Sequence, residues 1–254
     1  MIINRIRTEA RDQNWVSAIV DLLIVVIGLF TGLQVDSWWE DYQQSRQERV
    51  YLQELQEDFI SNKDLLVGTI EYDEEVLNDM ISLSEQALTD TPSLSNEELD
   101  AQFSSLQSMP TISPISRAYD NLVGAGELSV INSREIKNGL ADFYSFSKMI
   151  ELVQNTHEMQ LVQLFQPYMH DNTEVARVLV SWQEDDDFLL PEPESESGLP
   201  DVISSREFRN IVTAKYYSVS DLYGLHTALQ ELNDEILQLL QSELGIRITE
   251  EPGS

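Results

Sequence analysis

Hydrophobic residues in this chain follow two regimes. From Trp15 to Val35 they run almost unbroken, WVSAIVDLLIVVIGLFTGLQV, with Asp21 as the one ionisable residue. About 20 mostly apolar residues wound as an α-helix match the hydrocarbon core of a bilayer. A run apolar on every face is also unlike the amphipathic helix of a soluble core. The pattern predicts a transmembrane helix over 15–35, preceded by a flank at 1–14. Trp15 on one side and Trp38 and Trp39 on the other stand where aromatic anchors mark the two membrane interfaces. From Trp15 to Trp38 is roughly 35 Å of helix. Thr31-Gly32-Leu33-Gln34-Val35-Asp36 holds no Ala-x-Ala-like cleavage pattern, so the run reads as a retained anchor and not a signal peptide.

Beyond the anchor the apolar residues recur at steps of three and four. Leu52, Leu55, Phe59, Leu66, Val76, Met80, Leu83 and Ala87 form one stripe, with Asn62, Thr69 and Asp73 in its polar gaps. With Ile70, Leu77, Ile81 and Leu88 in a neighbouring stripe, the pattern suits a helix packed into a bundle. No proline interrupts it, so one helix is expected over 36–89, ending before Pro92. A short helix over 95–108, a brief one around 116–123 and two long ones over 133–169 and 205–243 follow. The fold class is therefore all-α: a membrane helix continuing into a long-helix bundle over 36–245, with an acidic linker at 171–203 and a tail at 246–254. Three starts carry the capping-box spacing, Ser95 with Glu98, Asn132 with Glu135 and Ser204 with Glu207.

The two long helices begin alike. Val130-Ile131-Asn132-Ser133-Arg134-Glu135-Ile136-Lys137-Asn138 aligns with Val202-Ile203-Ser204-Ser205-Arg206-Glu207-Phe208-Arg209-Asn210, and Tyr144 matches Tyr216 at the same offset. Capping explains the Ser and Glu but not the shared Arg and Asn. An internal duplication making these helices pseudo-equivalent is the reading they favour.

Charge narrows the partners. The chain carries 45 Asp and Glu against 15 Lys and Arg, a net charge of −30. In residues 1–35, Arg5, Arg7 and Arg11 balance Glu9, Asp12 and Asp21, so the excess belongs to 36–254. Such a domain repels phosphate backbones, and nucleic acid is not an expected partner. The three arginines ahead of the run, against Arg46 and Arg49 behind it, place the N-terminus in the cytoplasm by the positive-inside rule. In a bacterial inner membrane the soluble domain is then periplasmic. With no cysteine there is no disulfide framework and no thiolate metal site.

DLLIVVIGLFTGLQVDSWWE followed by RVYLQELQEDF resembles a family of bacterial single-pass membrane proteins classed as a domain of unknown function. Its pattern is an acidic residue leading into an LLVVIGI-like span, LQINNWNE-like juxtamembrane residues and a YL-x-x-L-x-x-D helix. Asp21, Gly28, Leu33, Gln34, Trp38, Glu40, Tyr51, Leu52, Leu55 and Asp58 sit on matching positions. Tyr119-Asp120-Asn121-Leu122-Val123-Gly124-Ala125-Gly126-Glu127-Leu128, with Ile131 and Tyr144, is similar to the family's second block. Asp21 stands where the family has Glu, and Ser37 and Trp39 depart from its Asn-rich pattern. The resemblance implies a membrane location and no particular activity.

Chemical motifs are sparse. His157, His170 and His226 are scattered, His157-Glu158 does not extend to HExxH, and no P-loop, GxSxG elbow or dinucleotide turn occurs. His157 and His226 lie on or beside apolar stripes, as hydrogen-bonded core histidines do. Glu184-Asp185-Asp186-Asp187, with Glu192, Glu194 and Glu196, lacks the glycine and spacing of a calcium loop. Pro191 and Pro193 make it a solvated loop instead. Neither catalysis nor a cofactor or metal is expected. In the membrane helix, Gly28 and Gly32 form a GxxxG pair, and Asp21 falls on the same stripe at 100° per residue. The expected function is a membrane-anchored scaffold or interaction module of the envelope, a homo-oligomer through Asp21, Gly28 and Gly32 with the bilayer and an envelope protein as partners. The alternative is a proton-coupled, stator-like component using Asp21.

Overall fold

The structure is a computed structural model that describes residues 3–89, 93–179 and 199–245. In the first stretch, side chains are described at 19–29, at 34 and from 38 onward. Among the described residues there are helices and no strand. They are α1 (Ile3–Gln86), α2 (Asn96–Ser104), α3 (Arg117–Ala125), α4 (Arg134–Gln160), α5 (Gln166–Asn172), α6 (Val175–Leu179), α7 (Leu199–Ile203) and α8 (Arg206–Glu243). The chain divides into two units, Met1–Leu52 and Gln53–Ser254.

In the first unit every described side chain from Ile19 to Leu29 is exposed. The element over 15–35 is helical, as the apolar run implies. Among the described residues, however, no helix is long and apolar enough to cross a membrane. The residues of the run whose surroundings are described are the eleven from Ile19 to Leu29 and Gln34, against the ~20 that a span needs.

The second unit is a bundle of three long helices. Contacts between α1 and α8 pair Phe59 with Asn233, Lys63 with Asp234 and Asp73 with His226, so the two run antiparallel. Gly139 meeting Ile236, and Gln160 meeting Ser218, set α4 antiparallel to α8 in turn. A Cβ at Gly139 would lie 3.0 Å from Ile236 Cγ1, so the missing side chain permits this close approach. The apolar stripe of α1 is buried as expected, from Leu52 and Leu55 through Phe59 and Leu66 to Leu83. Phe59 packs on Phe143 of α4 with ring centroids 4.8 Å apart. At the far end, Leu99 and Phe103 of α2 join Phe165, Met169 and Phe208 in one cluster, where Phe103 and Phe208 stack 5.8 Å apart.

Two expectations are corrected at the helix starts. Ser95 and Glu98 do form a reciprocal capping box. The other two caps sit one residue later than the spacing implied: Ser133 accepts from the Ile136 amide and Ser205 from the Phe208 amide. Asn132 and Ser133, like Ser204 and Ser205, are both capping residue types, and burial of Ile136 and Phe208 in the core selects the later start. The long helix expected over 133–169 is also interrupted. Leu161–Phe165 is a π turn and Pro167 is the reason: it has no amide hydrogen to give the Gln163 carbonyl, and its ring crowds that carbonyl. The helix widens just ahead of it, and the Gln166 amide reaches back to the Leu161 carbonyl.

The acidic linker expected at 171–203 is shorter than that. α5 continues to Asn172, α6 buries Val178, and α7 buries Leu199 and Ile203. Arg177 ties α6 to Asp100 of α2 at 2.8 Å. Residues 180–198, including Glu184–Asp187, Glu192, Glu194 and Glu196, lie outside the described residues, as do the tail 246–254 and residues 90–92.

Candidate functional site

Two sets of polar residues stand out in the second unit, a cleft and a buried interior set. The cleft, of about 750 Å³, lies between the non-helical segment 109–116 and the helices α3 and α4. The segment is extended because Pro110 and Pro114 bar a helix. Two carboxamides hold it. Gln154 of α4 accepts from the Ile112 amide at 2.9 Å and donates to the Ile112 carbonyl at 3.0 Å. Asn62 of α1 does the same for Ile115, at 2.7 and 3.0 Å. Each side chain thus supplies the donor and acceptor that a neighbouring strand would provide, which answers the demand of buried backbone polar groups.

Asp58 of α1 organises the floor of this region. It accepts from the Ala118 amide at 2.8 Å and pairs with Arg117 at 3.0 Å. It thereby serves the N-terminus of α3, where Ser116 makes no side-chain cap. At its other end α3 is closed by Gly126 at φ +72°, where the Glu127 amide returns to the Leu122 carbonyl at 2.9 Å. Above Asp58, Tyr119 and Tyr144 stack with centroids 4.2 Å apart, and the Tyr144 hydroxyl donates to the Ile115 carbonyl. Burial, and then the carboxylates of Asp58 and Asp120, push the Tyr144 phenol above its usual range. Ser116 donates to Asp120 at 2.6 Å. The open wall is the α4 flank bearing Lys148, Glu151, Asn155 and Glu158. The cleft lining has a hydroxyl beside a carboxylate but no histidine to serve as base. It presents stacked aromatic faces and acceptor oxygens.

The interior set lies along α8. Asp73 and His226 are both fully buried and meet at 2.7 Å through His226 Nδ1. Asp73 Oδ1 and His226 Nε2 are buried with no hydrogen-bond partner. Burial holds the Asp73 carboxyl above its usual range, against the lowering influence of His226. Lower on the same stripe Asn233 donates to the Phe59 carbonyl at 3.1 Å. Lys215, also buried, donates to the Ser108 carbonyl and lies 4.9 Å over the ring of Phe165, the last residue of the π turn. Burial brings its amine down to about 7.

The residues expected to act are placed as follows. Asp21 and Gly28 are exposed on α1, and a Cβ at Gly28 would meet nothing within 4 Å. Trp38 and Trp39 are exposed and both pack against Tyr42, at 6.2 and 5.9 Å. The surroundings of Gly32 and of the Trp15 side chain lie outside those described. His226 is a hydrogen-bonded core histidine, as its stripe implied. His157 is half-buried and meets Gln160 at 3.2 Å, and His170 is exposed.

Sequence reasoning missed Lys215 and the pairing of Asp58 with α3. A signal existed for Lys215. At the offset of the repeated helix starts it stands opposite Phe143, and His226 stands opposite Gln154; all four are buried. Among the described residues no group of three or more His, Asp or Glu could hold a metal ion. No family model matches the chain, and neither a curated protein nor a solved structure matches it.

Proposed function

We propose that this protein is a membrane-tethered, all-helical interaction module. In this reading residues 15–35 span a bacterial inner membrane with the N-terminus in the cytoplasm, and the acidic bundle works as a binding scaffold in the periplasm. One observation carries it. Nine of the eleven residues from Ile19 to Leu29 are apolar and all eleven are exposed, with Trp38, Trp39 and Tyr42 clustered beyond them. Apolar surface on every side of a helix has no place in water, and an aromatic cluster at the end of the run suits a headgroup interface. The resemblance at the anchor points the same way, and the cleft offers recognition chemistry without a catalytic constellation.

Self-association belongs to the proposal. Gly28 and Gly32 let helix backbones approach, and Asp21 shares their face. A second reading, proton carriage by Asp21, has its support in that residue being the one acid in the run. A charged Asp at the centre of a span costs roughly 2.5–3.5 kcal/mol, which favours a partner, protonation or, since Asp21 lies only about 9 Å from Trp15 along the axis, snorkelling to the headgroups. The tether is tested by alkaline extraction of membranes and by reporter fusions after Ser254. Release into the soluble fraction would reject the tether, and cytoplasmic-type reporter activity the orientation. Cross-linking of wild type against Gly28→Ile, Gly32→Ile and Asp21→Asn tests the interface. Undiminished oligomer in both glycine variants would reject it. Loss of function in Asp21→Asn with assembly intact would favour proton carriage.

A further inference from the structure

The solvent side of α4 is apolar where a surface helix is ordinarily polar. Leu152 and Met159 are 68% and 59% exposed, with Met149 beside them. At about 100° per residue these three fall within roughly 80° of one another, opposite the buried stripe of Phe143, Ile150 and Gln154. Round the helix from this strip, past Lys148 and Asn155, come Glu151 and Glu158, which line the cleft together with Asp120. The lining contains one cation, Lys148. This face therefore pairs an adaptable, methionine-bearing apolar strip with an acidic trough that holds stacked tyrosine rings.

We propose that the outer face of α4, together with the cleft beside it, docks a cationic amphipathic helix from a partner protein. The proposal rests on the interaction-module reading and names the chemistry of its partner. Charge decides among occupants. A second copy would bring another chain of net charge −30 and set Glu151 and Glu158 against more carboxylates, and an anionic lipid surface would be repelled in the same way. A helix with Leu on one side and Lys or Arg on the other satisfies both halves of the surface. Its apolar side covers Met149, Leu152 and Met159, following the helix-in-groove mode of recognition. Its cations reach Glu151, Glu158 and Asp120, with the half-buried Tyr119 ring beside them for a cation over its face.

The test uses the full chain in zwitterionic nanodiscs, with empty nanodiscs as the blank. The probe is a ~18-residue Leu/Lys amphipathic helix, about five turns, carrying a photo-crosslinker. It should bind saturably and cross-link within 142–164. Leu152→Ser with Met159→Ser, and separately Glu151→Lys with Glu158→Lys, should each weaken binding about tenfold or more. Asp64→Lys with Glu71→Lys changes net charge equally on α1 and should leave it within about twofold. Equal weakening by both charge reversals would overturn the proposal, because attraction would then be nonspecific. Equally tight binding of a Lys/Ser helix without an apolar side, or cross-links elsewhere, would overturn it too. So would a dimer of the untreated chain that Leu152→Ser with Met159→Ser dissolves, since a second copy would then be the occupant. Failure of membrane extraction to retain the protein bears on the tether alone and leaves this docking result standing.

Discussion

Lys215 ends in a place that suits an amine better than an ammonium. One carbonyl and one aromatic ring receive it, and burial lowers it to about 7 from an ordinary 10.5. Between those two values the unfolded chain holds the extra proton, so stability rises with pH across that window. Below about 7 the amine is charged in both states and contributes no slope. Lys215→Met should remove this dependence. Wild type is expected to gain about 2 kcal/mol from pH 7 to pH 9 relative to the variant, read by urea unfolding at both values. Parallel curves for the two proteins would contradict it. The Asp73–His226 pair calls for the opposite reasoning. Asp73 is raised, so its contribution is greatest below the ordinary carboxyl value of 3.8 and declines as pH rises through the raised one. His226→Leu leaves a buried carboxyl without its partner and should cost about 3–5 kcal/mol at neutral pH. Asp73→Leu with His226→Leu should cost less than that single change. If the double variant is the weaker protein, the pair does not behave as a buried charge and its partner.

At the scale of elements, the starts of α4 and α8 separate local chemistry from packing. Ser205 accepts from the Phe208 amide at 3.0 Å, whereas Ser204 Oγ donates to the Asp201 carbonyl instead. Ser205→Ala should therefore cost about 1 kcal/mol, and Ser133→Ala a similar amount. Ser204→Ala should change stability by less than about 0.5 kcal/mol. Thermal unfolding distinguishes them, and a larger loss at Ser204 would restore the earlier register. The π turn follows the same logic in reverse. Pro167 is visible in the sequence, but whether a helix breaks there or widens depends on Phe165, Tyr168 and Met169, all of which the core receives.

For the molecule as a whole, charge adds to the conformational entropy that opposes folding. A net charge of −30 repels itself within any compact state. The Debye length falls from about 30 Å at 0.01 M salt to about 8 Å at 0.15 M. Raising sodium chloride between those concentrations should raise the thermal midpoint, and an unchanged or lower midpoint would show that the carboxylates are already spread too widely to interact. Burial works against this repulsion through three long stripes, and among the described residues few charges are carried inside: Glu48, Asp58, Asp73, Asp100 and Lys215, of which Asp58 and Asp100 are paired with arginines, Asp73 with His226, and Lys215 with the Ser108 carbonyl.

The all-α class, the long helices and most of their boundaries followed from the sequence alone, because periodicity of three and four reports directly which face is covered. The apolar stripe of α1 is buried residue for residue from Leu52 to Leu83. Net charge and the lack of catalytic motifs were equally local properties. Tertiary structure alone decided what the polar gaps in those stripes are. Asn62 and Asp73, which the pattern presents as interruptions, are fully buried members of the core. Each bonds to a group far away in sequence, Ile115 and His226 respectively. The cleft arose in the same way, from Asn62, Tyr144 and Gln154 converging on the segment 109–116 while Asp58 holds the start of α3. Spacing within one helix encodes a face, but a hydrogen bond between helices depends on register between elements, and no local pattern carries that register.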